Sequence, residues 1–358
     1  MGLIGRFALS VCALIGVASP AAADAVAEFY AGKQVRFIIR SGVGGGYDSY
    51  ARLLVRHISR HIPGKPSVTP VNMPGGGGII AANHVALAAP KDGTILTMVS
   101  QGLPVDQALG LNTTLKADLR TFHWIGNMSA ANQILAVWHT SPTKTVADAQ
   151  KRETLIGSTG AGSISTQLPA LLNNLVGTKF KIVIGYPDGR DVNLAMERGE
   201  IEGRGANPWV SYKSTSPRMV ADKLIRPLVQ FGLESDPEIA EAPLFLNLPV
   251  SPENKPVVEF MSKAVMVGRP VATTPGAPLD RVTALRRAFD ATLNDAEFKK
   301  DADSQRAEID YMSGEQLEKI ISDLIGAPQD VRTRVRNAMR PNDADMKALE
   351  GAKEVKEQ

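Results

Sequence analysis

One pattern recurs along this chain: a short apolar run leads through a glycine-rich turn into a segment with helical periodicity. In the clearest copy, the apolar residues Val35, Phe37, Ile38 and Ile39 are followed by four glycines within residues 42–46, and apolar side chains then recur at helical spacing over residues 50–62. Two further copies begin at residues 68–73 and 154–156. Strands that alternate with helices predict βαβ units in a mostly parallel sheet, with ligands beyond the carboxyl ends of the strands.

The glycine turns predict that the backbone recognises an anion. Glycine allows positive φ values and lets a ligand approach the main chain without a Cβ in the way. Where such a turn leads into a helix, the unpaired N–H groups of the helix N-terminus face the same space. The turn at residues 157–163 adds the hydroxyls of Ser158, Thr159 and Ser163, although Ser163 can equally cap the following helix. We place the glycine run at residues 75–78 beside the pocket rather than in it.

The N-terminal segment predicts export. Residues 1–23 combine Arg6, the apolar run 7–17 and a small-residue cleavage site, which together indicate a signal peptide cut after Ala23. An uncleaved anchor is the alternative, and the Ala-x-Ala site disfavours it. Cys12 is the only cysteine and lies inside this segment, so the mature chain is expected to have neither disulfides nor thiolate chemistry.

Charge and motifs exclude several function classes. The 40 basic residues nearly balance the 37 acidic ones and form no long basic block, so no nucleic-acid partner is indicated. Residues 42–47 resemble a dinucleotide fingerprint in two of its three glycines, but Tyr47 stands where the third belongs. His57 and His61 have metal-like spacing, but without a zinc-protease glutamate they predict a solvated basic face. The chain also lacks a Gly-x-Ser-x-Gly elbow and a Walker-type lysine, so we expect no cofactor, no metal and no catalytic nucleophile.

Four charged residues near the turns have open roles. Asp48 could face the cleft and select a cationic group, but helix capping is the favoured role. Arg40, Arg190 and Arg204 each end or follow a predicted strand, so any of them is a candidate to bind a carboxylate. Most exposed arginines have no such role, and the sequence does not decide between the three.

The C-terminal third is predicted to be mainly helical. Residues 264–267 form a predicted strand and residues 269–278 a loop, after which helices follow at residues 279–293, 314–325 and 328–339. Residues 343–358 are polar and charged, which predicts a disordered tail.

An ordered set of motifs lies at residues 33–48, 52–54, 72–78, 88–94, 160–163, 199–202, 248–249 and 275–278. Its order is similar to that of the solute receptors of tripartite tricarboxylate transporters, the Bug-type periplasmic binding proteins, and it covers nearly the whole chain after residue 23. Two departures are a first turn without the usual prolines and residues 203–209, which lack the typical apolar run ending in Asp.

The resemblance implies a type II periplasmic-binding-protein fold, in which two α/β lobes with mixed, mostly parallel sheets are joined by a two-stranded hinge. We expect one lobe at residues 24–127 plus 240–358 and the other at residues 128–239. The resemblance further implies a periplasmic receptor that closes on a mono- or dicarboxylate and delivers it to membrane permease subunits, without doing chemistry on it. We expect a monomer.

The predicted ligand-binding residues come from both lobes. The resemblance implies backbone donors in residues 41–48 and 158–163, and polar residues near other turns and strand ends complete the set. The full set is Ser41, Gly42, Gly44, Gly45, Gly46, Tyr47, Asp48, Ser100, Gln101, Ser158, Thr159, Gly160, Ala161, Gly162, Ser163, Tyr186 and Asn207.

Two other functions stay open at this stage. An enzyme on the same scaffold, such as a lyase or isomerase of a small organic acid, would need a general acid or base, and besides Asp48 and Tyr47 the glycine turns offer none. A sensor that signals to a membrane kinase would use the same binding site. Backbone donors recognise a carboxylate but say little about the rest of the ligand, so the sequence does not identify it.

Overall fold

The computed structural model describes residues 20–130, 132–159, 163–186 and 189–340. Most of the predicted signal peptide, the predicted C-terminal tail and the predicted ligand residues Gly160, Ala161 and Gly162 lie outside these ranges. Within the described part of the chain, no helix is both long and apolar enough to cross a bilayer.

Strands and helices alternate along the chain. The strands are β1 (Gln34–Ile39), β2 (Ser67–Asn72), β3 (Ile95–Met98), β4 (His123–Asn127), β5 (Gln133–Trp138), β6 (Thr154–Ser158), β7 (Phe180–Ile184), β8 (Gly203–Pro208), β9 (Ile225–Phe231), β10 (Pro270–Thr273) and β11 (Met312–Ser313). The helices are α1 (Pro20–Tyr30), α2 (Gly46–Ile58), α3 (Ile79–Leu87), α4 (Leu103–Leu109), α5 (Val146–Lys151), α6 (Ile164–Val176), α7 (Gly189–Glu197), α8 (Trp209–Thr215), α9 (Pro217–Ala221), α10 (Lys255–Ala264), α11 (Leu279–Asn294), α12 (Ala296–Ser304), α13 (Gly314–Ile325) and α14 (Gln329–Ala338).

The strands form two mixed sheets, which confirms the α/β architecture. The first has the order β11-β4-β10-β3-β1-β2 and the second the order β7-β6-β8-β5-β9. Among the named strands of the described residues, only β1 with β2 and β3, and β6 with β7 and β8, pair in parallel. The sheets are therefore not mostly parallel, because β5 and β10, which follow the two passages between the sheets, run antiparallel to their neighbours.

The two passages between the sheets lie side by side. One joins β4 to β5 and the other leads into β10. The N–H of Met128 donates to the carbonyl of Arg269 at 3.1 Å, and the N–H of Arg269 donates to the carbonyl of Ser129 at 3.0 Å. A Cβ at Gly268 would lie 1.8 Å from the carbonyl oxygen of Ser129, so only glycine fits this close pairing. Past residue 240, Leu244 still forms a β-bridge with Gln230 at the edge of the second sheet.

The first strand, glycine turn and helix form as predicted. Val35, Phe37, Ile38 and Ile39 of β1 are fully buried, because this strand is covered on both faces. The apolar side chains of α2 face the same core as Val35, Phe37 and Ile39, as their helical spacing requires. Burial of this apolar surface fixes the direction in which the turn at residues 41–45 enters the helix.

The predicted strand at residues 264–267 is wrong. Residue 264 ends α10, and the apolar residues after it continue the buried face of that helix into a turn. The strand is instead β10, in the segment predicted as loop, where all four residues are buried between β3 and β4. Pro270 occupies the first position of the strand, where its missing N–H is tolerated. The helices predicted after this point are confirmed as α11, α13 and α14, whereas α12 was not predicted.

The predicted solvated basic face around His57 and His61 is also wrong. Nε2 of His57 lies 2.8 Å from Asp301 Oδ2, and Nε2 of His61 lies 2.9 Å from Asp295 Oδ2. This face packs against α12, the helix that the sequence did not reveal. Among the described residues, no group of three or more His, Cys, Asp or Glu side chains could hold a metal ion.

Candidate functional site

A cleft of about 680 Å³ is lined by residues from both sheets. On the side of the first sheet it lies beyond the carboxyl ends of β1, β2 and β3, and on the other side beyond those of β6 and β8. This is where open α/β sheets bind ligands, because the helix that follows each parallel strand directs its N-terminus there.

The first glycine turn brings the N-terminus of α2 to the cleft. Gly45 is the N-cap, with no side chain bonded to the first helical N–H groups, and Gly44 has a φ of +84°. The N–H groups of the first turn of a helix have no intrahelical acceptor and carry partial positive charge. The turn therefore offers backbone donors to an anion.

Asp48 lies beneath this turn rather than on the cleft wall. Its carboxylate accepts hydrogen bonds from the N–H of Gly44 at 2.8 Å, from Nε of Arg52 at 2.9 Å and from Nδ2 of Asn72 at 2.8 Å. Burial acts to raise its pKa, but the bonds from Arg52, Gly44 and Asn72 outweigh burial and lower the pKa. Asp48 is thus an ionised group that stabilises the turn, and it is directed away from a ligand.

The glycine run at residues 75–78 lines the cleft, which corrects its predicted place beside the pocket. All four glycines have positive φ values, from +57° at Gly76 to +127° at Gly75. Residues other than glycine rarely adopt this backbone conformation, so four such residues in succession require glycine. Gly78 is the N-cap of α3, so a second helix N-terminus of the first sheet reaches the cleft.

The second sheet contributes the N-terminus of α6. Its N-cap is Ser163, which lines the cleft together with Thr159. Ser158 is fully buried behind them, with its Oγ 2.9 Å from Ser165 Oγ and 2.5 Å from Thr166 Oγ1. Ser158 therefore bonds to the first turn of α6 and does not reach the cleft.

Four arginines line the cleft. Arg40, Arg190 and Arg204 are the three candidates from the sequence, and Arg269 is an addition that only the structure reveals. The guanidinium carbons of Arg40 and Arg269 lie 3.8 Å and 4.5 Å from the ring centroid of Tyr47. These charges give the cleft a positive character that suits an anionic ligand.

Asp106 is the only acidic residue among the described residues that line the cleft. It lies on α4, and burial raises the pKa of its carboxyl to about 6. Its negative charge therefore offsets the arginines only in part, and less so as the pH falls toward 6.

Most of the predicted ligand residues meet in this one cleft. Asp48, Ser158 and Tyr186 do not line it; Tyr186 instead packs near Gly157, where an added Cβ would lie 3.3 Å from its ring. The predicted residues that line it are Ser41, Gly42, Gly44, Gly45, Gly46, Tyr47, Ser100, Gln101, Thr159, Ser163 and Asn207. Polar lining residues that the sequence did not single out include Asp106, Gln133, Asn193, Ser211 and Arg269.

Comparisons with known proteins agree with this architecture. No protein-family model matches the chain. A UPF0065 protein of Bordetella bronchiseptica is 25% identical over 202 residues, a match that spans 55% of this chain and 58% of that relative. A TctC solute-binding protein from Polaromonas superposes with a TM-score of 0.63 at 19% identity, covering 85% of this chain and 98% of the other. MatC from Rhodopseudomonas palustris with bound malate superposes with a TM-score of 0.64 at 17% identity, covering 86% and 99%.

The chain therefore has the fold of TctC- and Bug-type solute-binding proteins. The resemblance seen in the sequence motifs is confirmed by these structural neighbours.

Proposed function

We propose that this protein is a periplasmic solute receptor that captures a small organic acid, a mono- or dicarboxylate, by closure of two lobes. It then delivers this ligand to the membrane permease of a tripartite tricarboxylate-type transporter. The observation that carries the proposal is one cleft faced by helix N-termini from both sheets and by four arginines, with Asp106 as the single acidic lining residue among those described.

Electrostatics favours an anion in this cleft. Each helix N-terminus acts as roughly half a positive charge, and an arginine donates paired hydrogen bonds that match a carboxylate. The volume of about 680 Å³ suits a small molecule rather than a polymer. Because donors come from both sheets, an anion between them stabilises the closed arrangement over an open one.

The described lining residues favour binding over nucleophilic catalysis. Neither His nor Cys occurs among the described residues of the cleft wall, and the hydroxyls of Ser163 and Ser165 bond to each other at 2.6 Å rather than to a base. The malate bound to MatC supports a carboxylate as the ligand class. The signal-like residues 1–23 support export to the periplasm.

A thermal-shift screen followed by calorimetry tests the proposal. The exported, purified protein is screened against mono-, di- and tricarboxylates, with sugars, cationic amines and nucleotides as comparison compounds. A ligand at a hundred times its Kd adds about 2.7 kcal/mol to the free energy of unfolding, which gives a clear rise in Tm. We expect a response to organic acids and recovery of the bound acid unchanged by NMR. If no carboxylate raised the Tm but a compound of another class did, the receptor function would be refuted. Turnover of the acid would favour the enzyme alternative.

A further inference from the structure

Arg269 is a buried cation in the wall of the cleft. Only 6% of its surface is exposed, and it directly precedes β10. Because β10 runs antiparallel to β3, the beginning of β10 lies at the carboxyl end of β3, where the first sheet meets the cleft. The topology of the sheet thus positions this charge at the ligand site.

No acidic side chain neutralises Arg269 among the described residues. Its Nη1 donates to the carbonyl of Gly268 at 3.2 Å, its Nη2 donates to Ser211 Oγ at 3.4 Å, and its Nε has no partner. The rings of Tyr47 and Tyr50 lie 4.5 and 5.2 Å from the guanidinium carbon. Since arginine stays protonated at any physiological pH, the charge cannot be removed by titration, and a buried charge without a counterion is costly.

The guanidinium also lies against the N-terminus of α2. A Cβ built on Gly46, the first residue of that helix, would be 3.2 Å from Nη2 of Arg269. The N-terminus of a helix carries partial positive charge, so the guanidinium and the helix end are two like charges in close contact, which is unfavourable. Arg40 adds a third positive group, with its guanidinium carbon 3.8 Å from the ring centroid of Tyr47, and its Nε also lacks a partner. An anion bound between these groups would relieve the repulsion.

We propose that Arg269 binds the ligand and selects dianionic organic acids over monoanionic ones. This inference rests on the proposed receptor function. The helix N-terminus supplies roughly half a positive charge, and Arg269 and Arg40 each supply a full one, so a single carboxylate leaves most of this charge uncompensated. A second carboxylate compensates most of the remaining positive charge, and it can accept paired hydrogen bonds from the planar guanidinium of Arg269.

The same contact links the ligand to both sheets. Arg269 touches α2 through Gly46 and Tyr47, and it donates to Ser211 of α8, the helix that follows β8 of the second sheet. A ligand bound to the guanidinium therefore contacts a side chain, Arg269, that is itself in contact with both lobes. Binding of the second carboxylate and closure of the cleft are coupled through Arg269.

Calorimetry with matched ligand pairs tests this role. The best dicarboxylate among three- to six-carbon acids is compared with its monoamide, which has the same length and one charge less. We expect the wild-type protein to prefer the dicarboxylate by about tenfold or more, and Arg269→Met to weaken dicarboxylate binding by about 10- to 100-fold, as for loss of a charged hydrogen bond. Affinity for the monoamide should fall much less, so the ratio of the two affinities approaches one. Arg269→Lys should keep part of the preference for the dicarboxylate, because lysine retains the charge but cannot donate the paired hydrogen bonds of a guanidinium.

The matched control is Arg287→Met, which removes the same charge from the exposed surface of α11 and should change neither affinity. The Tm without ligand reports whether each variant folds, and if Arg269→Met does not fold, Arg269→Lys and Ser211→Ala provide the test through a reduced preference. A folded Arg269→Met protein with the wild-type preference would overturn the proposal and leave the receptor function intact. If the wild-type protein bound none of the acids tested, the receptor function itself would be refuted.

Discussion

The phenol of Tyr47 accepts a hydrogen bond from the backbone N–H of Gln101 at 3.0 Å, which joins the start of α2 to the loop after β3. The same hydroxyl donates to the carbonyl of Gly268 at 3.4 Å, next to the passage into β10. Tyr47 therefore connects three separate walls of the cleft through one buried group. The guanidiniums of Arg40 and Arg269 both pack against its ring, which helps to fix their positions.

Removing this hydroxyl should weaken the protein measurably. Tyr47→Phe leaves the N–H of Gln101 without its acceptor, so we expect the free energy of unfolding to fall by about 1 kcal/mol. Urea denaturation followed by circular dichroism measures the change. Tyr186→Phe is the matched control, because Tyr186 lies outside the cleft wall and its hydroxyl is not part of this connection. Equal stability of the two variants would show that the Tyr47 hydroxyl contributes nothing.

The glycines of the cleft wall should differ in their tolerance of a methyl group. Gly78 has a φ of +104°, and a Cβ there would lie 3.0 Å from both Arg40 Cδ and Ser100 Cβ. Gly78→Ala should therefore lower the free energy of unfolding by about 1–2 kcal/mol from the backbone alone. Gly42→Ala is the matched control, since Gly42 has no positive φ and no atom within 4 Å of the added Cβ. We expect its effect to stay within about 0.5 kcal/mol. Similar losses for both variants would contradict the assigned backbone conformation.

The sequence predicted those parts of the fold that depend on local pattern. The apolar run of β1 and the helical spacing of α2 were sufficient to predict both elements, and the glycine turn between them pointed to the anion site. The strand β10 was misplaced because its residues are buried by neighbours from β3 and β4, whereas the stronger apolar run at residues 264–267 belongs to the end of α10. Local apolarity reports burial but does not distinguish a strand from a buried helix end.

Arg269 shows why the candidate site was only partly predictable. It follows no glycine turn, and its place in the cleft depends on the antiparallel pairing of β10 with β3. Asp48 was included among the ligand residues, with helix capping as its favoured role, and it has neither role, because Gly45 is the N-cap and Asp48 does not line the cleft. In the structure, its bonds to Gly44, Arg52 and Asn72 occupy it. Both outcomes depend on contacts between residues that are distant in sequence or on the direction of a side chain.

The contact between α2 and α12 should make the protein sensitive to acid. Burial acts to raise the pKa of Asp301, but hydrogen bonds from His57, Gln305 and Arg56 outweigh burial and hold the pKa at about 2. A pKa below its unfolded value of about 3.9 means that the ionised carboxylate stabilises the fold above about pH 4. This contribution is lost as the pH falls from about 4 toward 2.

Urea denaturation at pH 7, 4 and 3 tests this assignment with Asp301→Asn. The variant should be less stable than the wild type at pH 7 and should lose less stability between pH 4 and 3, because the titrating group is gone. Asp323→Asn, on the exposed surface of α13, is the control and should follow the wild-type curve. Parallel pH curves for the wild type and Asp301→Asn would contradict the role of the Asp301 contact.

Ligand affinity should depend on pH through Asp106. Burial raises the pKa of this cleft carboxyl to about 6, so it is largely ionised at pH 7.5 and largely protonated at pH 5. An ionised Asp106 repels an anionic ligand, and the ligand in turn favours the protonated carboxyl. Affinity for a dicarboxylate should therefore rise as the pH falls from 7.5 to 6, by about fourfold if the ligand raises the pKa of Asp106 by about one unit. Calorimetry over this range, at pH values where the ligand stays ionised, measures the effect.

Asp106→Asn separates this mechanism from titration of the ligand. The amide has nearly the same size and no charge, so the variant should bind at pH 7.5 at least as tightly as the wild type, and its affinity should vary little with pH. Asp323→Asn should keep the wild-type slope, because it removes an equal charge far from the cleft lining. If Asp106→Asn retained the slope, another group would be responsible for it. If the variant lost binding at every pH, the carboxylate of Asp106 would pair with a cationic group of the ligand, because the amide keeps the volume of the side chain and an acceptor oxygen but loses the negative charge.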